Sequence, residues 1–184
     1  MKLVVIGQAP FGAEVLKQLV ADGHEIAAVF TEPDGERGPD PVAVVAEEAG
    51  LPTKKFKRYQ KLKKNGGGVI PECLEAMKEA APDLCVLAFV TQFVPKEIYD
   101  FPPHGSIVYH PSLLPLHRGA SAINHTILAG DAQAGFTIFY ADDGLDTGDI
   151  ILTRSTDIAP NETVNSVYKR FLFPEGVTGF RYHV

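Results

Sequence analysis

The sequence predicts an α/β protein: a mostly parallel, twisted sheet with helices on both faces and a late antiparallel strand. Three observations carry this. Short apolar runs (MKLVVIG, HEIAAVF, LCVLAF) alternate with amphipathic stretches of helical period. The first two runs are joined through a helix within roughly thirty residues, and parallel strands joined in this way need a crossover, which is right-handed. Late in the chain, GFTIFYA and DIILTR flank the short loop DDGLDTG, a connection that favours an antiparallel pair on the sheet edge.

Each element follows from its residues. Lys2 to Ile6 forms a strand, the turn GQAPFG follows, and a helix runs from about Phe11 to Ala21, closed by Asp22-Gly23. His24 to Phe30 is the second strand. Asp40 or Pro41 opens a helix through Ala49 that Gly50 ends, and Thr53 to Phe56 forms a short outer strand. Pro71 suits the first turn of a helix reaching Ala80. Leu84 to Phe89 is apolar on both faces, as a central parallel strand should be. Gly105 to Tyr109 is the next strand, with His110 the first residue past its end. Ser121 to Ala129 is a helix with Ser121 as cap and Gly130-Asp131 as stop. Gly135 to Ala141 and Asp149 to Arg154 form the antiparallel pair, and a last helix spans Glu162 to Phe171 with Asn161 as cap. The residues FLFPEGVTGFRYHV show no clear closing element, so the chain reads as a piece of a longer protein.

At 184 residues, 45% hydrophobic and 22% charged, the chain is expected to form a single domain over residues 1–184 with a sizeable core. No apolar run approaches the ~20 residues of a membrane span, and MKLVVIG is too short for a signal peptide. Cytoplasm is the expected location. A net charge of −6 argues against general nucleic-acid binding. One stretch runs the other way: Lys54, Lys55, Lys57, Arg58, Lys61, Lys63 and Lys64 place seven of seventeen basic residues in eleven positions, interleaved with Phe56 and Tyr59. Such a run is a solvated face or a patch for an anionic tail or RNA. Cys73 and Cys85 have no metal-ligand spacing and read as buried thiols.

The turn GQAPFG has the outer glycine spacing of a dinucleotide fingerprint, but Ala9 stands where the middle glycine would admit a pyrophosphate, and Pro10 removes an amide donor. Asp142, Asp143, Asp146 and Asp149 put four carboxylates within eight residues. A calcium loop starting at Asp142 would need a glutamate at its twelfth position, which is Thr153. The loop therefore reads as a turn in which one aspartate faces a pocket. His110 stands at the carboxyl end of a strand, where ligands of open α/β sheets bind. Its imidazole can donate to an oxyanion or protonate a leaving amine, and a carboxylate such as Asp146 would fix its protonation or orient a water.

YHPSLLPLHRGASAIN and ADDGLDTGD resemble the signature of the 10-formyltetrahydrofolate-utilising formyltransferases and hydrolases, in which HPSLLP and a D-x-G-x-D/D-T-G loop recur. The likeness runs from MKLVVIGQAPFG through RFLFPEG. Within the family, VIGQ, VFT, Thr91-Gln92-Phe93, HRGASAIN and RFLFPEG are most similar to the amino-terminal hydrolase domains of 10-formyltetrahydrofolate dehydrogenases.

The resemblance implies a Rossmann-like formyltransferase fold with a folate cleft at the strand ends. It implies catalytic roles for His110 and Asp146, a pterin pocket lined by Leu87, Phe89, Gln92, Val94, Asp142 and Asp143, and no metal. The implied substrate is 10-formyltetrahydrofolate, with no cofactor bound in this domain. NADP and a phosphopantetheine arm belong to the aldehyde dehydrogenase and carrier domains of the full-length enzymes, which are the implied partners. Most transferases of the family carry an asparagine two residues before the histidine; here it is Val108, as in the hydrolase domains, so one donor to the formyl oxygen is missing and slow chemistry is expected. Ala9 and Pro10 disfavour a phosphorylated acceptor. The expected reaction is hydrolysis to tetrahydrofolate and formate. The alternatives are formyl transfer to methionyl-tRNA or an amino sugar, which the basic run favours and Val108 opposes, and a folate-binding remnant without turnover.

Overall fold

In the computed structural model, which describes residues 1–36, 38–62, 64, 66–181 and 184, seven strands form one sheet. They are β1 (Lys2–Gly7), β2 (Glu25–Thr31), β3 (Thr53–Lys55), β4 (Leu84–Ala88), β5 (Ser106–His110), β6 (Gln133–Tyr140) and β7 (Ile150–Asp157). Their order is β3-β2-β1-β4-β5-β6-β7. β1 is parallel to β2 and β4, β2 is parallel to β3, and β6 and β7 are antiparallel. The expected mostly parallel sheet with a late antiparallel pair is what forms. By its contacts the chain divides into units 1–107 and 108–184.

In the first unit, Leu3 to Ile6 of β1 and all of β4 are buried, which is why these strands read as unbroken apolar runs. Helix α1 (Ala9–Ala21) turns Phe11, Val15, Leu16 and Leu19 inward. Pro10 sits in its first turn, where a backbone N–H has no helical partner to lose. Asp40 caps α2 (Pro41–Glu48) by accepting from Val42 N at 2.8 Å, and its other oxygen accepts from Ala9 N at 2.9 Å. One carboxylate thus fixes both the start of α2 and the turn after β1. Helix α3 (Pro71–Ala80) falls where expected, whereas the single turn α4 (Lys96–Tyr99) is too short to show a period in the sequence.

The basic run is a charged outer face over an aromatic interior. Lys54 pairs with Glu79 at 3.6 Å and Lys55 with Asp34, while Lys63 lies outside the described residues. The interleaved aromatics do not face solvent as a stacking platform for bases would. Tyr59 is fully buried, and Phe56 packs edge-on between it and Phe30, with centroids at 5.7 and 5.3 Å.

Both cysteines are buried free thiols. Burial pushes Cys85 up to about 12, and burial together with the charge of Glu72 pushes Cys73 up to about 11. An unfolded thiol titrates near ~8.5, so above that pH unfolding releases protons that the native state retains. Stability is therefore full below about pH 8.5 and falls by about 1.4 kcal/mol per pH unit for each thiol until the native values are approached. Urea midpoints measured at pH 6.5, 7.5 and 9.5 should be flat over the first interval and fall over the second; a flat second interval would contradict this.

In the second unit, α5 (Ala122–Ala129) ends at Gly130 in the left-handed region, as expected. Ser121 occupies the position before it but is not the expected side-chain cap. Its backbone is itself left-handed and its hydroxyl makes no capping bond. The last helical segment also differs. Thr163, not Asn161, caps α6 (Val164–Val167) through a reciprocal box with Ser166. The chain then passes through a π-helical turn, Tyr168–Leu172, into α7 (Phe173–Arg181). FPEGVTGFR is thus a closing helix, although Pro174, Gly176 and Gly179 read as breakers. Pro174 stands at the second residue of α7. A Cβ on Gly179 would lie 2.9 Å from Ile138 and 3.2 Å from Phe136 and Leu152, so this glycine allows close packing on the strands. Arg154 of β7 pairs with Glu175 of α7. Among the described residues no helix is long and apolar enough to cross a membrane.

Candidate active site

The first unit contains a point where strand order reverses: β2 and β3 lie on one side of β1 and β4 on the other. In open α/β sheets the crevice at such carboxyl ends receives ligands. Here it is tied shut at its base. The Oε1 of Gln8, just after β1, accepts from Thr91 Oγ1 at 2.9 Å and Thr91 N at 3.3 Å. A Cβ on Gly7 or Gly12 would come within 2.9 Å of the Ala88 carbonyl. The two glycines therefore serve close packing of the turn on β4, consistent with a plain strand-to-helix turn and not a pyrophosphate cradle.

The sequence-derived pocket residues of this unit follow β4. Leu87 is buried within the strand. Phe89 comes next, part-exposed and with a left-handed backbone (φ 60°), an unusual state for a bulky side chain. Val94 is half-buried. The Gln92 amide nitrogen donates to Glu32 Oε1 at 3.2 Å and to the carbonyls of Phe56 and Lys57 at 3.1 and 3.3 Å. Its Oε1 is buried without a hydrogen-bond partner among the described residues.

The second unit brings His110 and Asp146 together. His110 is the last residue of β5, not the first beyond it, and is 7% exposed. The HPSLLP segment leaving the strand is bound at every step. Ser112 N donates to His110 O at 2.9 Å, Ser112 Oγ to Leu116 O at 2.6 Å, Leu116 N to Leu113 O at 2.9 Å, and Thr137 Oγ1 on β6 to Ser112 O at 2.8 Å. This turn places the His117 carbonyl 2.9 Å from His110 Nε2. A carbonyl only accepts, so Nε2 carries a proton in either charge state of the ring. The atom left for chemistry is Nδ1, which lies 3.5 Å from Asp146 Oδ2. That separation is too long for a good hydrogen bond and within ion-pair distance when the ring is protonated.

Asp146 is aimed by its own loop. Its backbone is left-handed (φ 52°), which aspartate tolerates better than most residues. Its Oδ2 accepts from Gly119 N at 2.7 Å, so the oxygen facing His110 is anchored while Oδ1 takes no hydrogen bond among the described residues. The other aspartates of the loop do different work. Asp142 accepts from Thr147 Oγ1 at 2.8 Å and Gly144 N at 3.0 Å, so its carboxylate shapes the loop. Asp143 is exposed. At Gly148 a Cβ would fall 1.7 Å from the Tyr140 carbonyl, so only glycine lets the loop turn back into β7. Val108 lies two residues before His110 on the same face of β5, with its side chain half-buried. A further pair was not apparent from the sequence: His117 Nε2 lies 2.6 Å from Asp131 Oδ2.

A buried histidine beside an anchored carboxylate at the end of β5 is an arrangement that can do acid–base chemistry. Residues 1–180 match the formyl transferase family. The chain belongs to that family. This formyl transferase domain is 55% identical over 177 residues to the mitochondrial 10-formyltetrahydrofolate dehydrogenase of Mus musculus and 54% identical over 179 residues to the cytosolic 10-formyltetrahydrofolate dehydrogenase of Xenopus tropicalis. These alignments cover 96% and 97% of the chain and 19% of each relative, so the chain spans about a fifth of the length of the curated relatives it matches. A formyltetrahydrofolate deformylase from Pseudomonas syringae pv. tomato shares the fold, with a TM-score of 0.80 at 20% identity over 98% of this chain and 60% of that one.

Proposed function

We propose that this formyl transferase domain hydrolyses 10-formyltetrahydrofolate to formate and tetrahydrofolate, with His110 and Asp146 carrying the reaction. The observation that supports it is the pairing of His110 Nδ1 with an anchored Asp146 carboxylate that keeps one oxygen available. The likeness to 10-formyltetrahydrofolate dehydrogenases supplies the substrate.

Asp146 Oδ1 takes a proton from water as the water oxygen bonds to the formyl carbon. Nδ1 of His110 donates to the developing oxyanion. Because Nε2 already holds a proton, this donation requires the imidazolium. As the carbon–N10 bond breaks, Nδ1 passes its proton to N10 and tetrahydrofolate leaves. The proton on Asp146 then returns to His110, and the formic acid loses its own to solvent. Val108 offers no amide donor to the oxyanion, so His110 bears that load and turnover is slow. The pterin-lining roles of Leu87, Phe89, Gln92, Val94, Asp142 and Asp143 belong to the same proposal, with Asp142 and Asp143 acting through loop backbone. In a longer chain a carrier thiol on a phosphopantetheine arm would take the place of water. The turn after β1 does not suit NADP, which would belong to an aldehyde dehydrogenase domain outside these residues.

The test is to incubate the chain with 10-formyltetrahydrofolate, with and without a small thiol, and follow formate and tetrahydrofolate. Release without any acceptor is the expected result. Consumption only with methionyl-tRNA or an amino sugar would favour transfer, and binding without release would favour a remnant; either overturns the hydrolase reading.

A further inference from the structure

His117 combines three features that a loop residue rarely combines. Its backbone is left-handed (φ 53°), a conformation for which glycine is the default. Its carbonyl is the partner of His110 Nε2 at 2.9 Å. Its own ring is held 2.6 Å from Asp131 Oδ2 and lies stacked on His125, with centroids 6.4 Å apart and planes within 11°. Asp131 follows Gly130, the left-handed stop of α5, so the carboxylate is carried by a helix end and not by the HPSLLP turn.

We propose that His117 and Asp131 act as a clamp that positions His110: the hydrogen bond between the His117 ring and Asp131 fixes the direction of the His117 backbone carbonyl, and that carbonyl fixes the tautomer and tilt of His110 so that Nδ1 faces the reacting atoms. The inference rests on His110 being the catalytic histidine. The carbonyl survives any substitution at position 117, so the side chain matters only through where it holds the backbone. Without the clamp, the αL turn can relax and Nε2 can exchange its partner for water. Nδ1 then loses its fixed aim, although neither His117 nor Asp131 touches the substrate.

Backbone preference and clamping make opposite forecasts for His117→Gly. Glycine suits φ 53° better than histidine, so a residue needed only for the turn would tolerate the change. A clamp would be lost. The experiment measures kcat and KM for formate release by the 184-residue chain carrying His117→Gly, Asp131→Ala or Asp131→Asn, alongside nitrogen-15 spectra of labelled histidines. In the unaltered chain His110 should appear as an Nε2–H with slowly exchanging proton. With His117→Gly and Asp131→Ala, kcat should fall by about tenfold, the scale of a small misplacement of a reacting group, with KM within twofold. The Nε2 proton should exchange at least about tenfold faster by the same loss of aim. Asp131→Asn, which keeps an acceptor for His117, should restore most of both. Unaltered His110 exchange in His117→Gly and Asp131→Ala would overturn the proposal. The spectra decide this even if the chain releases no formate, an outcome that would count against the hydrolase reading alone.

Discussion

Asp146→Asn is expected to reduce formate release by about 10³-fold while leaving the fold intact, within the ~10²–10⁴ range of a lost general base. The asparagine can keep the anchor, since its carbonyl oxygen can accept from Gly119 N as Oδ2 does at 2.7 Å. It also suits the left-handed backbone at φ 52°, a region in which asparagine is favoured. What it cannot do is remove a proton from water or balance the imidazolium at 3.5 Å. A thermal midpoint within about 2 °C of the unaltered chain, a shift of no more than about 1 kcal/mol, should accompany the kinetic loss. Activity that survives the change would remove Asp146 from the mechanism.

The second large effect concerns which nitrogen of His110 acts. His110→Gln places an amide nitrogen near the Nε2 position, where it can donate to the His117 carbonyl. It leaves nothing at Nδ1, and release should fall by about 10³-fold through loss of both oxyanion donation and proton delivery. His110→Asn places its amide nitrogen near the Nδ1 position. It can still donate to an oxyanion but cannot pass a proton to N10, so it should retain about tenfold more activity than the glutamine variant, a part of the ~10²–10³ attributed to one oxyanion donor. The reverse order, with glutamine more active than asparagine, would mean that Nε2 acts and that its bond to His117 breaks during turnover.

Much of this was readable in the sequence, and what was not readable has identifiable causes. Apolar runs located β1, β2, β4 and β6 because these strands bury most of their side chains, and the short loop after β6 located its partner β7, which has no buried residue. His110 was legible as a polar residue closing an apolar strand, whereas Asp146, read as standing at a strand end, lies within the loop between β6 and β7. The closing helix was hidden because Pro174 and Gly179 mark helix ends in isolation. In the fold Pro174 is the second residue of α7, which follows directly on the π-helical turn Tyr168–Leu172, and a Cβ on Gly179 would lie 2.9 Å from Ile138. The His117–Asp131 pair could not be read from spacing, since fourteen positions and a left-handed turn separate its members. The basic run left a solvated face and a patch for an anionic tail or RNA both open, because sequence spacing does not show that Tyr59 is fully buried.

His110 and Asp146 are proposed to act as one unit on the formyl group. A double-mutant cycle on formate release tests it most directly, with His110→Ala, Asp146→Ala and the two combined. If water activation by one residue and oxyanion relief by the other belong to a single event, the double variant should be no more than about threefold slower than the worse single variant, as groups acting together are strongly non-additive. Losses that multiply across the cycle would show two independent contributions and contradict the account.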